Sequence, residues 1–188
     1  MKTESSNSSP TPEDIIEEQL QKFRRKRDAH GFLKTIVIVF IACFVLFGIL
    51  FGIGRVNGDS MNPTLHDRDF VLLWRPGQNY MRGDIVFFQK EGESKELVKR
   101  VIGTPGDSLD IRNDGEVILN GSILAEDYIF VPTYADQAQV SFPIELKEGE
   151  YFVMGDNRIN SRDSRVFGIV KKGEIDGKVI FIARGKLN

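Results

Sequence analysis

The chain has 188 residues, and 25 Lys and Arg against 27 Asp and Glu leave a formal net charge of -2 at pH 7. A charge this close to balance gives no indication of a nucleic-acid partner. The single cysteine, Cys43, lies inside an apolar segment, so the sequence beyond it excludes disulfides and thiol chemistry without fixing the compartment. About 130 residues follow that segment, enough for one domain with its own core.

Residues 1–30 precede the apolar segment and are predicted to be partly disordered. Their first part, "MKTESSNSSPTP", is rich in Ser and Pro and has almost no apolar residue with which to build a core. A helix is predicted to begin near Pro12, because Pro suits the first helical turn and Thr11 can cap its free N–H groups.

The apolar segment "IVIVFIACFVLFGILFGI", from Ile36 to Ile53, contains no charged residue. A helix of this length spans roughly 27 Å, close to the hydrocarbon thickness of a bilayer. A buried core helix would show a polar face, and a cleaved signal peptide would have a shorter apolar region followed by an A-x-A-like site. Residues 31–54 are therefore predicted to form a transmembrane signal-anchor helix.

Basic residues flank this segment unequally, and the positive-inside rule then sets its orientation. Only Arg55 follows the segment closely, whereas six basic residues precede it: Lys22, Arg24, Arg25, Lys26, Arg27 and Lys34. We therefore expect a single-pass protein of the cell membrane, with residues 1–30 in the cytoplasm and residues 55–188 outside.

From Asp69 onward the sequence shows short β-branched or aromatic runs separated by turn-forming residues. The runs are "FVLLW", "DIVFFQ", "ELVKRVI", "DSLDI", "EVILN", "EYFVMG" and "KVIFIA". They predict a mainly antiparallel β-domain, either a barrel or a set of coiled sheets. The segment Val131–Glu145 lacks a clear period and is predicted to be a surface loop.

"NGDSMNPTL" places Ser60 directly after the membrane segment, and a serine hydroxyl needs a base before it becomes a nucleophile. His30 is on the predicted cytoplasmic side. His66 lies six residues after Ser60, in what is predicted to be an exposed turn, so a Ser60–His66 pair is one possibility.

Lys99 is the other candidate base. In "ELVKRVIG" it shares a strand face with Leu97 and Val101. It is either a solvent-facing lysine or one kept dry by apolar neighbours, and only burial of the second kind lowers a lysine pKa from about 10.4 toward neutrality. Arg100 cannot serve as a base, because a guanidinium keeps its proton.

A third cluster, "GDNRINSRDSRVFG", spans Gly155 to Gly168 between two apolar strands. It is either a plain polar loop or a support for the site. In the second case Asp163 and Arg165 can pair, and a serine hydroxyl can orient a neutral amine.

Together these clusters resemble the bacterial type I signal peptidases, which are membrane-anchored Ser/Lys endopeptidases. "GDSMNPTL" is similar to the family's serine box, "RGDIVFF" to its second box, "VKRVIGTPGDSL" to its lysine box and "GDNRINSRDSRVFG" to its last box. The resemblance covers nearly the whole chain beyond residue 30, and the short β-domain is similar to the compact Gram-positive type. Each box alone is weak evidence for the family, but the presence of all four in the family's order makes the joint match specific.

The resemblance implies that Ser60 is the nucleophile and Lys99 the general base. The backbone N–H of Ser60 would help to form the oxyanion hole. Some members carry a serine at the position of Gly58, whose hydroxyl also serves the oxyanion, so this chain lacks that side-chain donor.

The resemblance further implies that Ser161 hydrogen-bonds the lysine and that Asp163 pairs with Arg165. Met61 matches the family methionine beside the nucleophile, and we expect Met61 and Pro63 to contact substrate.

Three more residues, Leu65, Phe70 and Trp74, are expected to enter the outer leaflet near the point where substrate leaves the membrane. For Trp74, ordinary core packing remains the alternative.

The function implied is that of a membrane-bound serine endopeptidase that removes N-terminal signal peptides from preproteins by cutting after small residues of the A-x-A type. The implied fold is mainly β, a barrel-like or sheet domain outside the membrane that binds an extended substrate at a strand edge. Preproteins and the lipid bilayer are the expected partners. No metal or cofactor motif is present, and no oligomeric state is indicated.

Three rival interpretations fit these residues less well. A self-cleaving repressor-type Ser/Lys protease needs a DNA-binding domain where this chain has an apolar span. A sortase-like transpeptidase needs a catalytic cysteine outside the membrane. A non-catalytic anchored β-domain has no need of Ser60, Lys99, Ser161 and Asp163 together.

Overall fold

The computed structural model describes residues 12–77, 79–134 and 139–185, and the chain divides into two units, residues 1–47 and 48–188. Helix α1 runs from Pro12 to Leu50 and begins where the sequence predicts it. Its part Gly31–Leu50 is long and apolar enough to cross a membrane, with a mean hydropathy of 2.8. The predicted disorder and the predicted Thr11 cap fall on residues 1–11, which lie outside the described residues.

The apolar helix was predicted to extend to residue 54, but it ends at Leu50. Residues Phe51–Arg55 form strand β1, which pairs antiparallel with β2, Phe70–Trp74. A Cβ at Gly54 would lie 2.8 Å from the Phe87 ring, so this glycine lets β1 pack closely on the core. The boundary was wrong because the run Phe51–Ile53 is as apolar as a lipid-facing helix, and apolarity alone does not separate the two.

Nine further strands follow along the described chain. They are β3 (Ile85–Phe88), β4 (Leu97–Gly103), β5 (Ser108–Ile111), β6 (Val117–Leu119), β7 (Ser122–Ile123), β8 (Ile144–Glu145), β9 (Glu150–Met154), β10 (Val170–Lys171) and β11 (Ile175–Ala183). The short helix α2 is Ser164–Phe167, and a 3-10 turn is Lys172–Glu174. One antiparallel sheet has the order β1-β2-β11-β3-β4-β9-β10, and the other β7-β6-β5-β8.

Strand β4 is the common element of the three buried apolar clusters. Its Val101 packs in one cluster with residues of β3 and β9, and Ile102 packs in another with the four-stranded sheet. Val98 belongs to the third cluster, which lies under the loop after β1 and includes Met61 and Leu65. Because β4 contributes to three cores, a side chain in its middle is held away from solvent.

The mainly β prediction is confirmed, and all seven predicted runs are strands. Four strands were missed, β1 and the two-residue strands β7, β8 and β10. Strand β8 lies inside Val131–Glu145, which was predicted to be a loop, and it forms because Ile144 pairs with Leu109. Residues 135–138 of that segment lie outside the described residues.

Replacement of Gly177 is expected to destabilise the fold. This residue lies where β11 passes from β3 to β2, and a Cβ there would be 2.8 Å from the backbone oxygen of Trp74. Gly177→Ala should lower the free energy of unfolding by roughly 1–3 kcal/mol, because one backbone must move. Urea unfolding of the full-length protein in detergent, followed by Trp74 fluorescence, measures the change.

Gly173, in the 3-10 turn, is the matched control, since no atom lies within 4 Å of a Cβ built there. Gly173→Ala should change stability by less than about 1 kcal/mol. Equal stabilities of the two variants would contradict the expected clash at Gly177.

Candidate active site

Ser60 lies in the loop that connects β1 to β2, and hydrogen bonds close this loop. At its base the Val56 N–H donates to the Asp69 carbonyl at 2.8 Å. Nearer the serine, the Gly58 N–H donates to the Asp67 carboxylate at 2.8 Å. The Gly58 φ of 83° lies in a region that favours glycine, so this residue is required by the backbone of the loop.

Lys99 lies in the middle of β4, and its side chain is only 3 % exposed. Leu97 and Val101 flank it along the strand, and Val86 of β3 is its cross-strand partner. The structure therefore decides between the two possibilities left by the sequence, because this lysine is buried rather than solvent-facing.

The Lys99 Nζ lies 2.8 Å from the Ser60 Oγ and 2.8 Å from the Val98 carbonyl oxygen. A neutral amine can donate one N–H to that carbonyl while its lone pair accepts the Ser60 O–H. This geometry aims the lone pair at the proton that must be removed. A hydroxyl and an amine with the chemistry of a nucleophile and its base are therefore in direct contact.

Burial lowers the pKa of Lys99 to about 8, because the ammonium form loses its water. The carboxylates of Asp163 and Asp156 oppose this and raise the pKa, since each attracts the charged form. Burial is the larger effect, so about half of the amine is neutral near pH 8. Proton transfer from Ser60 is then available close to neutral pH.

The loop Gly155–Gly168 is hydrogen-bonded to the backbone at Ser60. The Asn157 N–H donates to the Ser60 carbonyl at 3.1 Å, and its side-chain amide donates to the Asp59 carbonyl at 3.1 Å. A Cβ at Gly155 would overlap both the Ser60 carbonyl oxygen and the Ser161 side chain. The close approach requires glycine there, and it fixes the position of the Ser60 backbone.

Asp163 and Arg165 form the ion pair that the sequence predicts. The Arg165 Nε and Nη2 each donate to an Asp163 oxygen at 2.9 Å, and neither side chain is more than 2 % exposed. Asp163 also accepts the Gly155 N–H at 3.0 Å and caps α2. The pair therefore holds both ends of the loop that contacts Ser60.

A second ion pair, missed in the sequence, joins the same loop to β4. Arg100 donates to both Asp156 oxygens, at 2.8 and 2.6 Å, and its guanidinium lies 4.1 Å from the centre of the Tyr128 ring. The Thr64 hydroxyl also donates to Asp156. Alternation along β4 puts Arg100 on the face opposite Lys99. The arginine next to Lys99 in the sequence was the one feature that could have indicated this ion pair.

A third ion pair lies at Arg158, which is fully buried. Its guanidinium donates to both oxygens of Glu126, to the Thr133 hydroxyl and to the Gly155 carbonyl. The pairing ties the chain after β7 to the loop beside Ser60. Glu126 is 32 residues away in sequence, and no local pattern marks it as the partner of Arg158.

The Ser161 hydroxyl does not fill its expected role. Its Oγ is buried and makes no hydrogen bond to any described residue, so the expected bond to Lys99 is absent. Ser161 packs against Gly155 instead. The partner that orients the amine is a backbone group, the Val98 carbonyl.

The two residues expected to contact substrate differ in position. Met61 is fully buried in the core under the loop between β1 and β2, residues 56–69, which we call the nucleophile loop because it carries the candidate nucleophile Ser60, so Met61 supports that loop from behind. Pro63 lines an open groove beside the site.

The three residues expected to enter the outer leaflet also differ from one another in how far they are buried. Leu65 is fully buried, because it packs in the core beneath the nucleophile loop, so that expectation was wrong. Trp74 is half-buried and packs edge-to-face on Phe51, with ring centroids 5.1 Å apart. Phe70 is 49 % exposed.

His66 does not form the possible pair with Ser60. Its Nδ1 lies 2.8 Å from Arg184 Nη1 and 3.9 Å from the Asp69 carboxylate. The imidazole is therefore directed toward the end of β11, and the amine beside Ser60 is that of Lys99.

The chemistry that the site offers is that of a hydroxyl and an amine. Within the described ranges, no group of three or more His, Cys, Asp or Glu side chains is placed to hold a metal ion. The two carboxylates that act on Lys99, Asp156 and Asp163, are both engaged by arginines. Such a pair suits attack on a carbonyl carbon and acyl transfer.

Comparisons with known proteins agree on one family. Residues 29–183 match the family described as signal peptidase, peptidase S26. The chain is 33% identical over 177 residues to the signal peptidase I of Bacillus amyloliquefaciens, an alignment that covers 89% of this chain and 94% of that relative. It is 34% identical over 169 residues to signal peptidase I S of Bacillus subtilis (strain 168), covering 84% and 90%.

A solved structure, that of a signal peptidase I from Enterococcus faecalis V583, is also similar. It shares 32% sequence identity, and the superposition covers 54% of this chain and 97% of that one with a TM-score of 0.46.

The rate of hydrolysis at Ser60 is expected to rise with pH through the Lys99 pKa of about 8 and to level off above it. Only the neutral amine accepts a proton, so each pH unit below that value should cost about tenfold in kcat/KM. The measurement is kcat/KM for a peptide substrate between pH 6 and 10. Lys147→Met, at an exposed lysine, is the control and should keep the same profile. A rate independent of pH between 6 and 8 would show that another group takes the proton.

Proposed function

Because the chain belongs to the signal peptidase family, peptidase S26, we propose that it removes signal peptides from preproteins at a membrane with Ser60 as nucleophile and Lys99 as general base. Its relatives identify it as a serine peptidase and a hydrolase. The observation that carries the residue roles is the 2.8 Å contact between Lys99 Nζ and Ser60 Oγ in a buried site.

In the first half of the reaction, Ser60 Oγ attacks the carbonyl carbon of the scissile peptide bond while Lys99 Nζ takes the hydroxyl proton. The new oxyanion lies beside the Ser60 N–H, which makes no hydrogen bond to another described residue and is available to donate. Lys99 then gives its proton to the leaving nitrogen as the C–N bond breaks. The signal peptide is left as an ester on Ser60.

In the second half, water attacks the ester carbonyl and Lys99 takes the water proton. The bond to Ser60 Oγ breaks, and Lys99 returns the proton to this oxygen. The signal peptide leaves with a new carboxyl group, which releases its proton to solvent, and the site returns to its starting state.

The unpaired edge of β4 supports binding of an extended substrate next to the dyad. Among the described strands, β9 pairs with β4 only from Arg100 onward, so Leu97 and Val98 have no strand partner on that side. An extended peptide can add to such an edge through its backbone. Small residues at positions −3 and −1, which the resemblance implies, would let its backbone lie close to β4.

Membrane contact is proposed for two parts of the chain. The apolar part of α1 would anchor it, with the basic N-terminal side in the cytoplasm and residues 55–188 outside. On the outer face of the large sheet, Ile53, Leu72 and Phe181 are in register across β1, β2 and β11. Ile53 and Phe181 are 77 % and 62 % exposed. An apolar sheet face of this kind favours contact with lipid.

Cleavage of a preprotein with Ala at positions −3 and −1 tests the proposed chemistry. The full-length protein in detergent should release the signal peptide, and Ser60→Ala should lower kcat/KM by more than about a thousandfold because no nucleophile remains. Lys99→Met should do the same, since the hydroxyl then has no base. Ser108→Ala, at the other Gly-Asp-Ser of the sequence, is the control and should remain active. Retained cleavage in Lys99→Met would remove the proposed mechanism.

Protease protection tests the proposed orientation. In intact spheroplasts, an added protease should remove a tag at the C-terminus and leave a tag at the N-terminus, because the basic flank keeps that end inside. Opening the spheroplasts should expose both tags. Loss of the N-terminal tag alone in intact spheroplasts would mean the opposite orientation.

A further inference from the structure

A groove with a volume of about 280 Å³ lies beside the dyad, and no step described above uses it. Its apolar walls come from three segments: Pro63 of the nucleophile loop, Phe130 and Val131 after β7, and Ile159 of the Gly155–Gly168 loop. Asn62 also lines the groove, so its lining begins two residues beyond Ser60 and extends to the segment between β7 and β8.

The residues that border the groove are unusually exposed for their type. Phe130 is 82 % and Ile159 is 59 % exposed. Large apolar side chains that flank a concave surface indicate a place where an apolar ligand is bound.

The two chain segments that carry these residues are joined by a buried ion pair. Arg158, which precedes Ile159, binds Glu126 and Thr133, and these two residues flank Phe130 along the chain. The walls are thus tied together beneath the groove. A groove that is formed before its ligand arrives loses less conformational entropy on binding.

The carboxylate that lines the groove, that of Asp156, is already paired with an arginine. Both oxygens of this carboxylate are engaged by Arg100, whose side chain is mostly buried. A cationic side chain would therefore find this carboxylate already paired, and an anionic side chain would meet a like charge, whereas an apolar side chain has no charge to desolvate.

The position of the groove decides which part of a substrate it takes. An extended peptide at the dyad has one exit along the unpaired edge of Leu97 and Val98, and another past Asn157, which lines the groove and holds the Ser60 carbonyl. The side of the cut that carries small residues lies close to β4, and a methyl side chain would leave a groove of this size almost empty. The groove is therefore on the other side of the cut.

We propose, on the basis of the function proposed above, that this groove binds the first few residues of the mature chain, after the cut, and favours bulky apolar side chains over charged ones there. The bound segment is part of the preprotein, and the groove is then a specificity site for the product that leaves the membrane.

The test uses the full-length enzyme in detergent and two preproteins identical up to the cut. One carries Leu or Phe at each of mature positions 2 to 4, and the other carries Asp at all three. The wild-type enzyme should cleave the apolar preprotein with a kcat/KM about tenfold higher, the effect of one filled apolar subsite. Phe130→Ser and Ile159→Ser should each remove most of this ratio. Ile123→Ser, an exposed isoleucine outside the groove, should retain it.

Placement is tested separately with a photoreactive residue in the preprotein and the Ser60→Ala enzyme as a trap. A probe at mature position 3 should cross-link to peptides containing Phe130 or Ile159. A probe in the apolar part of the signal peptide should not.

Four results would overturn the assignment: equal rates for the two preproteins in the wild type, equal losses on both in the groove variants, the same loss in Ile123→Ser, or a cross-link from the signal-peptide probe. Failure of the proposed function looks different, because the wild type would then cleave neither preprotein, or Ser60→Ala would cleave both.

Discussion

The contact between the Lys99 amine and the Ser60 hydroxyl depends on keeping a lysine uncharged inside the protein. A fall of the pKa from 10.5 to about 8 corresponds to a cost on the order of 3 kcal/mol for the charged form. Below pH 8 the amine is protonated in both the folded and the unfolded chain, and the folded state carries this cost in full. Between pH 8 and 10.5 only the unfolded chain holds the proton, so the cost is relieved as the pH rises. Stability is therefore lost where activity requires a poised base.

The carboxylates near this amine create a conflict that the arginines resolve. Asp156 and Asp163 are needed because they hold the loop against β4 and against the Gly155 backbone, yet each would stabilise the ammonium. Arg100 and Arg165 each bind one of them through two hydrogen bonds. A carboxylate paired in this way keeps its structural bonds while its field at the lysine is weakened. Loop geometry and lysine protonation are thus controlled by the same ion pairs.

The strands and the contact between Ser60 and Lys99 follow from local signals in the sequence. Apolar runs bounded by turn residues mark the long strands, and the four boxes mark Ser60, Lys99, Asp163 and Arg165. Strand β1 was hidden because its residues continue an apolar run, and only pairing with β2 separates it from the helix.

Other features depend on distant contacts that no spacing encodes. Glu126 meets Arg158 only after the chain folds, and Leu65 is buried by the core beneath its own loop rather than left for lipid. The Val98 carbonyl orients the amine where a serine was expected, because backbone acceptors carry no sequence signature. The groove is built from three separate segments, so it too is visible only in the folded chain.

Because Asn157 and Arg158 are consecutive, the residue that fixes the Ser60 backbone adjoins the one that ties the groove walls together. A peptide bound in that groove, as proposed, would be held by the same loop that holds the Ser60 backbone, and binding energy gained away from the cut would then position the scissile carbonyl for attack.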